Sequence, residues 1–195
     1  MSVVIINTTN NEKGFEDRFV DDLANLLRIP CTKNSATSFE LLDLPPLDGD
    51  VKVLVIVSHA DSDDNETFMD LGFRVENCNT NLVNNPDVIG QVIDQSASDR
   101  YVIVYCACSA LSPATLASNS DNDKVAGVIA TAKPVNSTWV DSIAKIIAYV
   151  HDVDLRVENN QLITEIVGKI RQVEADFNYS MGFNFYPNII VSEED

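Results

Sequence analysis

Two cysteines and a histidine stand where this chain could carry out nucleophilic chemistry. Arg100 to Leu111 reads RYVIVYCACSAL, a run rich in β-branched and aromatic residues that leads into Cys106-Ala107-Cys108. Val51 to Val57, VKVLVIV, is a second apolar run, and it delivers Ser58-His59-Ala60-Asp61. In an open parallel α/β sheet the carboxyl ends of the strands face the ligand crevice, so parallel neighbours would bring both groups to one edge. A thiol attacks as its thiolate and is mostly protonated at neutral pH unless a base or cation lies beside it. An imidazole supplies that base and can return the proton to a leaving group, which suits acyl transfer through a thioester. Cys108 is the favoured nucleophile. Cys106 has the same strand parity but lies deeper in the apolar run, and it is kept as the alternative nucleophile. Either cysteine alone would read as a buried structural thiol, and His59 alone as a polar loop residue. Their joint placement on two core strands is what marks a site.

The elements that must position these residues follow in order. Ser2 to Asn7 reads as a first strand, and Phe15, Phe19, Leu23, Leu26 and Leu27 recur at helical spacing up to Pro30. Cys31 to Asp50 reads as a connection that holds one helical turn or a short strand. The strand Lys52 to Ser58 opens into a loop at His59, the solvated segment DSDDNE follows, and Thr67 to Glu76 around Gly72 is expected to form a hairpin flap. DVIGQVIDQSAS from Asp87 predicts a short helix before the strand Tyr101 to Tyr105, and Ser112-Pro113 another helix start. Val125 to Ala130 is a further strand. Trp139, Ile143, Ile146, Ile147 and Val150 mark a long helix capped by Ser137 or Thr138, a second helix spans Gln161 to Phe177, and Pro187 to Ser192 is a terminal strand. Strands alternating with helices predict an α/β fold with a mostly parallel sheet covered on both faces. We expect one domain over residues 1–195, with a core in 1–150 and a C-terminal helix and strand in 151–195.

Composition narrows the function. A net charge of -17 repels phosphate backbones and anionic lipid surfaces, so neither nucleic acid nor membrane is an expected partner. No apolar run approaches the about 18 residues of a membrane span, and the N-terminus has no basic leader, so a cytoplasmic protein is expected. The four cysteines are too scattered for a disulfide framework, and His59 and His151 lack ligand spacing to any cysteine pair, so no metal is expected. Neither G-x-G-x-x-G after the first strand nor G-x-x-x-x-G-K-[ST] occurs, and no cofactor is expected. Asp61, Asp63, Asp64 and Glu66 lack the calcium-loop pattern. His151 reads as a surface residue, and Trp139 as core packing.

VIVSHAD resembles the strand and loop that carry the catalytic histidine in caspase-like (clan CD) cysteine peptidases, where an apolar strand ends in Ser-His-Gly or Gly-His-Gly. VIVYCACSAL resembles their nucleophile strand, which ends in Ala-Cys. VAGVIATAKPVNSTWVDSIAKIIAYV is similar to the strand, Pro-containing loop and helix that follow in the CHAT-domain branch, and SVVIINTTN to the start of such a domain. The resemblance covers roughly residues 1 to 150. His59 precedes Cys108 by 49 residues, close to the spacing of about 50 found in caspases.

The resemblance implies a three-layer caspase-like sandwich and a cysteine endopeptidase acting on a protein or peptide substrate. Cys108 would be the nucleophile and His59 the general base and acid, with the backbone amides of Ala60 and Cys108 binding the oxyanion. An activating protein partner is a further expectation. Asp61 and Asp63 would form an acidic rim for a Lys- or Arg-bearing substrate. This chain departs from the pattern in carrying Ala60 where the family usually has Gly, and in lacking the Gln-Ala-Cys-Arg-Gly of true caspases, so acidic-residue preference is not carried over. Two alternatives stand beside this reading: a catalytically inactive caspase-like interaction domain, which Ala60 would favour, and a small flavodoxin-like binding protein.

Overall fold

The computed structural model describes residues 2–7, 15–29, 31–35, 51–57, 59–63, 66–70, 74–75, 78–79, 100–107 and 124–188. In chain order these hold β1 (Ser2–Asn7), α1 (Phe15–Leu27), β2 (Cys31–Ser35), β3 (Val51–Val57), β4 (His59–Asp63) and β5 (Glu66–Asp70). Two short strands follow, β6 (Arg74–Val75) and β7 (Cys78–Asn79), then β8 (Tyr101–Cys106) and β9 (Val125–Thr131). A 3-10 turn over Ser137–Trp139 leads into α2 (Val140–Asp152), α3 (Asn159–Asp176) and β10 (Phe183–Pro187).

Six strands make one sheet in the order β10-β9-β8-β3-β1-β2, in which every pairing is parallel except that of β10 with β9. The α/β sandwich with a mostly parallel sheet is as expected. Its central strands are apolar runs rather than alternating patterns because both faces are buried. Val3, Ile5, Val53, Val55, Val57, Val102, Val104 and Cys106 on one face join the core cluster with the inner stripes of α1, α2 and α3. Val4, Leu54, Ile56, Ile103 and Tyr105, which alternate with them, are buried too.

The helices form because their apolar residues recur on one face. In α1 these are Phe19, Val20, Leu23 and Leu27, in α2 Ile143, Ile146, Ile147 and Val150, and in α3 Leu162, Ile166, Ile170 and Val173. Burying each such side chain contributes about 1.5–3 kcal/mol. Neither Ser137 nor Thr138 caps α2, whose N-cap position is Trp139 without a side-chain bond; the 3-10 turn before it is capped by Asn136, whose Oδ1 accepts from the Thr138 backbone N–H at 3.0 Å and the Thr138 hydroxyl at 3.1 Å. Both expected caps are taken into the 3-10 turn, so the capping position moves back to the next short polar residue. At the far end of α2, Lys52 Nζ donates to the carbonyls of His151 (2.9 Å) and Val153 (2.7 Å), tying that terminus to the start of β3. The α3 helix ends in a Schellman turn, with Tyr179 N–H bonded to the Glu174 carbonyl and Asn178, at φ 55, bonded to that of Ala175.

The structure sharpens three sequence expectations. The segment read as a connection from Cys31 contains β2, an edge strand in register with β1 from Val3↔Cys31 to Asn7↔Ser35. CTKNS carries little apolar signal because an edge strand has a neighbour on one side only. The last strand among the described residues is Phe183–Pro187, with Phe183 and Phe185 as its buried, alternating residues, whereas most of the strand expected at Pro187 to Ser192 lies outside the described residues. The hairpin expected at Thr67 to Glu76 instead runs from His59 to Asp70. Helices expected near Asp87 and Ser112, and residue Gly72, lie outside the described residues.

Candidate active site

β3 and β8 are adjacent, parallel and in register from Val53↔Val102 to Val57↔Cys106. Their carboxyl ends are therefore level. His59 comes two residues after Val57, and Cys108 comes two residues after Cys106. Cys108 lies outside the described residues, and for His59 and Ala60 the backbone alone is described.

His59 is the first residue of β4, not a loop residue. β4 pairs with β5 in an antiparallel hairpin of register His59↔Asp70, Ala60↔Met69, Asp61↔Phe68, Ser62↔Thr67 and Asp63↔Glu66. The segment read as solvated loop folds this way because two extended stretches are separated by Asp64 and Asn65, both good turn formers. Period two places His59, Asp61 and Asp63 on one face of the ribbon. Ala60 lies in the extended backbone of a strand, a region open to every L-residue, so its position needs no glycine.

Cys106 belongs to the core. It is 3% exposed and packs in the cluster with Val57 and Val104. Burial pushes its thiol up to about 12, since the charged thiolate has no water to solvate it. A thiol so placed is the opposite of an activated nucleophile, which argues physically against the alternative assignment. Next to it on the other face, Tyr105 is wholly buried, and the same desolvation raises its phenol above the ordinary value. Ala107, the last described residue before Cys108, is buried as well.

The remaining sequence candidates separate clearly. His151 is not a surface residue: its side chain is 14% exposed, with Nδ1 3.1 Å from Asp152 Oδ1. Its place at the end of a helix did not reveal that β3 passes beside it through Lys52. Cys31 is half-buried against the core, and Cys78 lies on β7. Trp139 packs as expected, stacked on Tyr179 at 6.3 Å and edge-on to Phe183 at 6.4 Å between ring centroids. Among the described residues no group of three or more His, Cys, Asp or Glu could hold a metal ion, and no helix is long and apolar enough to cross a membrane. The residue that sequence reasoning passed over is Asp70, directly opposite His59. Only the hairpin register reveals it.

In comparison with known protein families and with curated proteins, nothing matches the chain. Among solved structures it is similar to the Drosophila initiator caspase Dronc, at 9% sequence identity and a TM-score of 0.41, over 87% of this chain and 72% of that one. No match ties the chain to the CHAT branch.

Proposed function

We propose that this chain is a cysteine endopeptidase of caspase-like type, with Cys108 as nucleophile and His59 as general base and acid. One observation carries the reading: the register Val57↔Cys106 ends two parallel neighbouring strands level, two residues before the imidazole on one and the thiol on the other. Neighbouring strands run about 4.8 Å apart, so side chains leaving two level ends are candidates for a hydrogen-bonded pair. The burial of Cys106 supports Cys108 by elimination.

In this mechanism His59 takes the Cys108 proton as sulfur attacks the scissile carbonyl carbon. The tetrahedral oxyanion accepts hydrogen bonds from the backbone N–H groups of Cys108 and Ala60. Its collapse breaks the C–N bond, His59 protonates the leaving amine, and a thioester remains. Water then attacks the thioester with His59 as base, and the thiol regains its proton as the acid product leaves. Asp61 and Asp63, on the His59 face of the hairpin, favour substrates with Lys or Arg beside the cleaved bond. Engagement of a protein partner is the proposed mode of activation, in the cytoplasm.

The test is hydrolysis of a fluorogenic peptide set varied at the residue before the cleaved bond. Basic peptides should turn over, Cys108→Ala should abolish turnover, and His59→Ala should lower it by about 10²-fold or more. Turnover that survives Cys108→Ala overturns the assignment, and turnover lost only in Cys106→Ala moves it to the core thiol.

A further inference from the structure

The geometry points to Asp70 as a positioning residue for His59. This rests on the dyad reading above for its role in catalysis, but the pairing itself stands on the hairpin register alone. In an antiparallel pair, directly opposed residues have Cβ atoms about 4.5–5.5 Å apart, and His59↔Asp70 is such a pair. Three other acidic residues occupy the same face, and none is as well placed. Asp61 is two residues along β4 and opposed by Phe68, whereas Asp63 and Glu66 oppose each other at the far end. Successive residues on one strand face are about 6.6 Å apart, which leaves Asp61 a longer reach than Asp70.

The chemistry needs such a group. An imidazole that takes a proton at one nitrogen must hold its other N–H fixed, or the wrong tautomer and ring orientation compete. A carboxylate on the directly opposed residue of the ribbon is the type of group that can do this and that favours the imidazolium formed when the thiol gives up its proton. The placement is economical: β4 starts with His59, β5 ends with Asp70, and one short hairpin carries both.

The chain has two histidines, so its imidazole nitrogens can be followed individually by ¹H–¹⁵N correlation spectra of the full-length protein, with His151→Gln fixing the assignment. Asp70→Asn should lower the His59 titration midpoint by about 1 pH unit and turn one dominant tautomer into a mixture, while Asp61→Asn moves it far less. Asp70→Glu, which keeps the charge, should retain most of the wild-type midpoint and serves as the folded reference if Asp70→Asn unfolds the hairpin. Cys108 alkylation should shift its pH profile in Asp70→Asn with the circular dichroism unchanged. An unaltered His59 midpoint and tautomer in Asp70→Asn, equal effects of Asp61→Asn and Asp70→Asn, or a Glu variant that titrates as if uncharged would overturn the pairing. If His59 responds to Asp70 while Cys108 alkylation ignores His59→Ala, the pair is real and the dyad reading is what fails.

Discussion

The chain leaves β9 through a network of side-chain hydrogen bonds, whereas β3 is followed by a hairpin whose strands, among the described residues, pair only with each other. After β9, Thr131 Oγ1 donates to the Met181 carbonyl at 2.7 Å and Lys133 Nζ to that of Ser180 at 2.9 Å. Buried Glu174 accepts from Gly182 N–H and from Arg171, both at 2.8 Å. These bonds stitch β9, α3 and the entry to β10 together. β4 and β5 form a separate two-stranded sheet, and a hairpin on its own is marginal in water. The difference teaches how one carboxyl edge divides its tasks: the end of β9 is tied into the frame by side-chain hydrogen bonds, while the end of β3 is followed by a two-stranded ribbon, the kind of segment on which proteins place binding groups.

The sharpest way to break this contrast is to force β10 off β9. A Cβ on Gly127 would lie 2.5 Å from Phe185 Cζ and 2.6 Å from the Tyr186 carbonyl oxygen, and backbone cannot swing away. Gly127→Val should cost about 3 kcal/mol in urea unfolding. A cost near zero would mean that β10 is not held as described. Next, Glu174→Ala leaves the Gly182 N–H without its acceptor and should cost about 2 kcal/mol, whereas Asp61→Ala in the hairpin should cost at most about 0.5 kcal/mol. Equal costs would erase the distinction between the two regions.

Alkaline titration sharpens it further. Cys106 is raised from 9.0 to about 12 in the folded chain. The unfolded state therefore loses this proton first, and the contribution, fully present below pH 9, declines as pH rises towards 12. Between those limits wild type should lose about 1.4 kcal/mol per pH unit more than Cys106→Ala, measured by urea midpoints at successive pH values. Parallel curves for the two proteins would contradict the burial of that thiol. A smaller effect than that of Glu174→Ala is expected of Lys52→Met, which removes two bonds to the end of α2 and should cost about 1 kcal/mol without changing thiol reactivity.

The sequence made the frame legible where burial is uniform. VKVLVIV and VAGVIA have no polar residue past Lys52 to confuse a strand with a loop, and the stripes of α2 and α3 repeat over several turns. Legibility failed where pairing partners decide the structure. β2 is polar because it lies at an edge. DSDDNE reads as a solvated loop, yet its first three residues are in β4 and its last begins β5. The site was legible as two chemical groups at two strand ends. Their level register, and the place of Asp70 opposite His59, depend on strand pairings that apolar periodicity along a single segment does not encode.

The central claim is a histidine-assisted thiolate at Cys108, and the most direct test is the pH dependence of iodoacetamide labelling at each cysteine, read by mass spectrometry, in wild type and in His59→Ala. The account predicts that Cys108 labels fastest near neutral pH, that Cys106 stays unlabelled until the chain unfolds, and that His59→Ala slows Cys108 by roughly tenfold. Cys108 labelling no faster than Cys31, with no response to His59→Ala, would contradict it and leave an interaction domain as the better description.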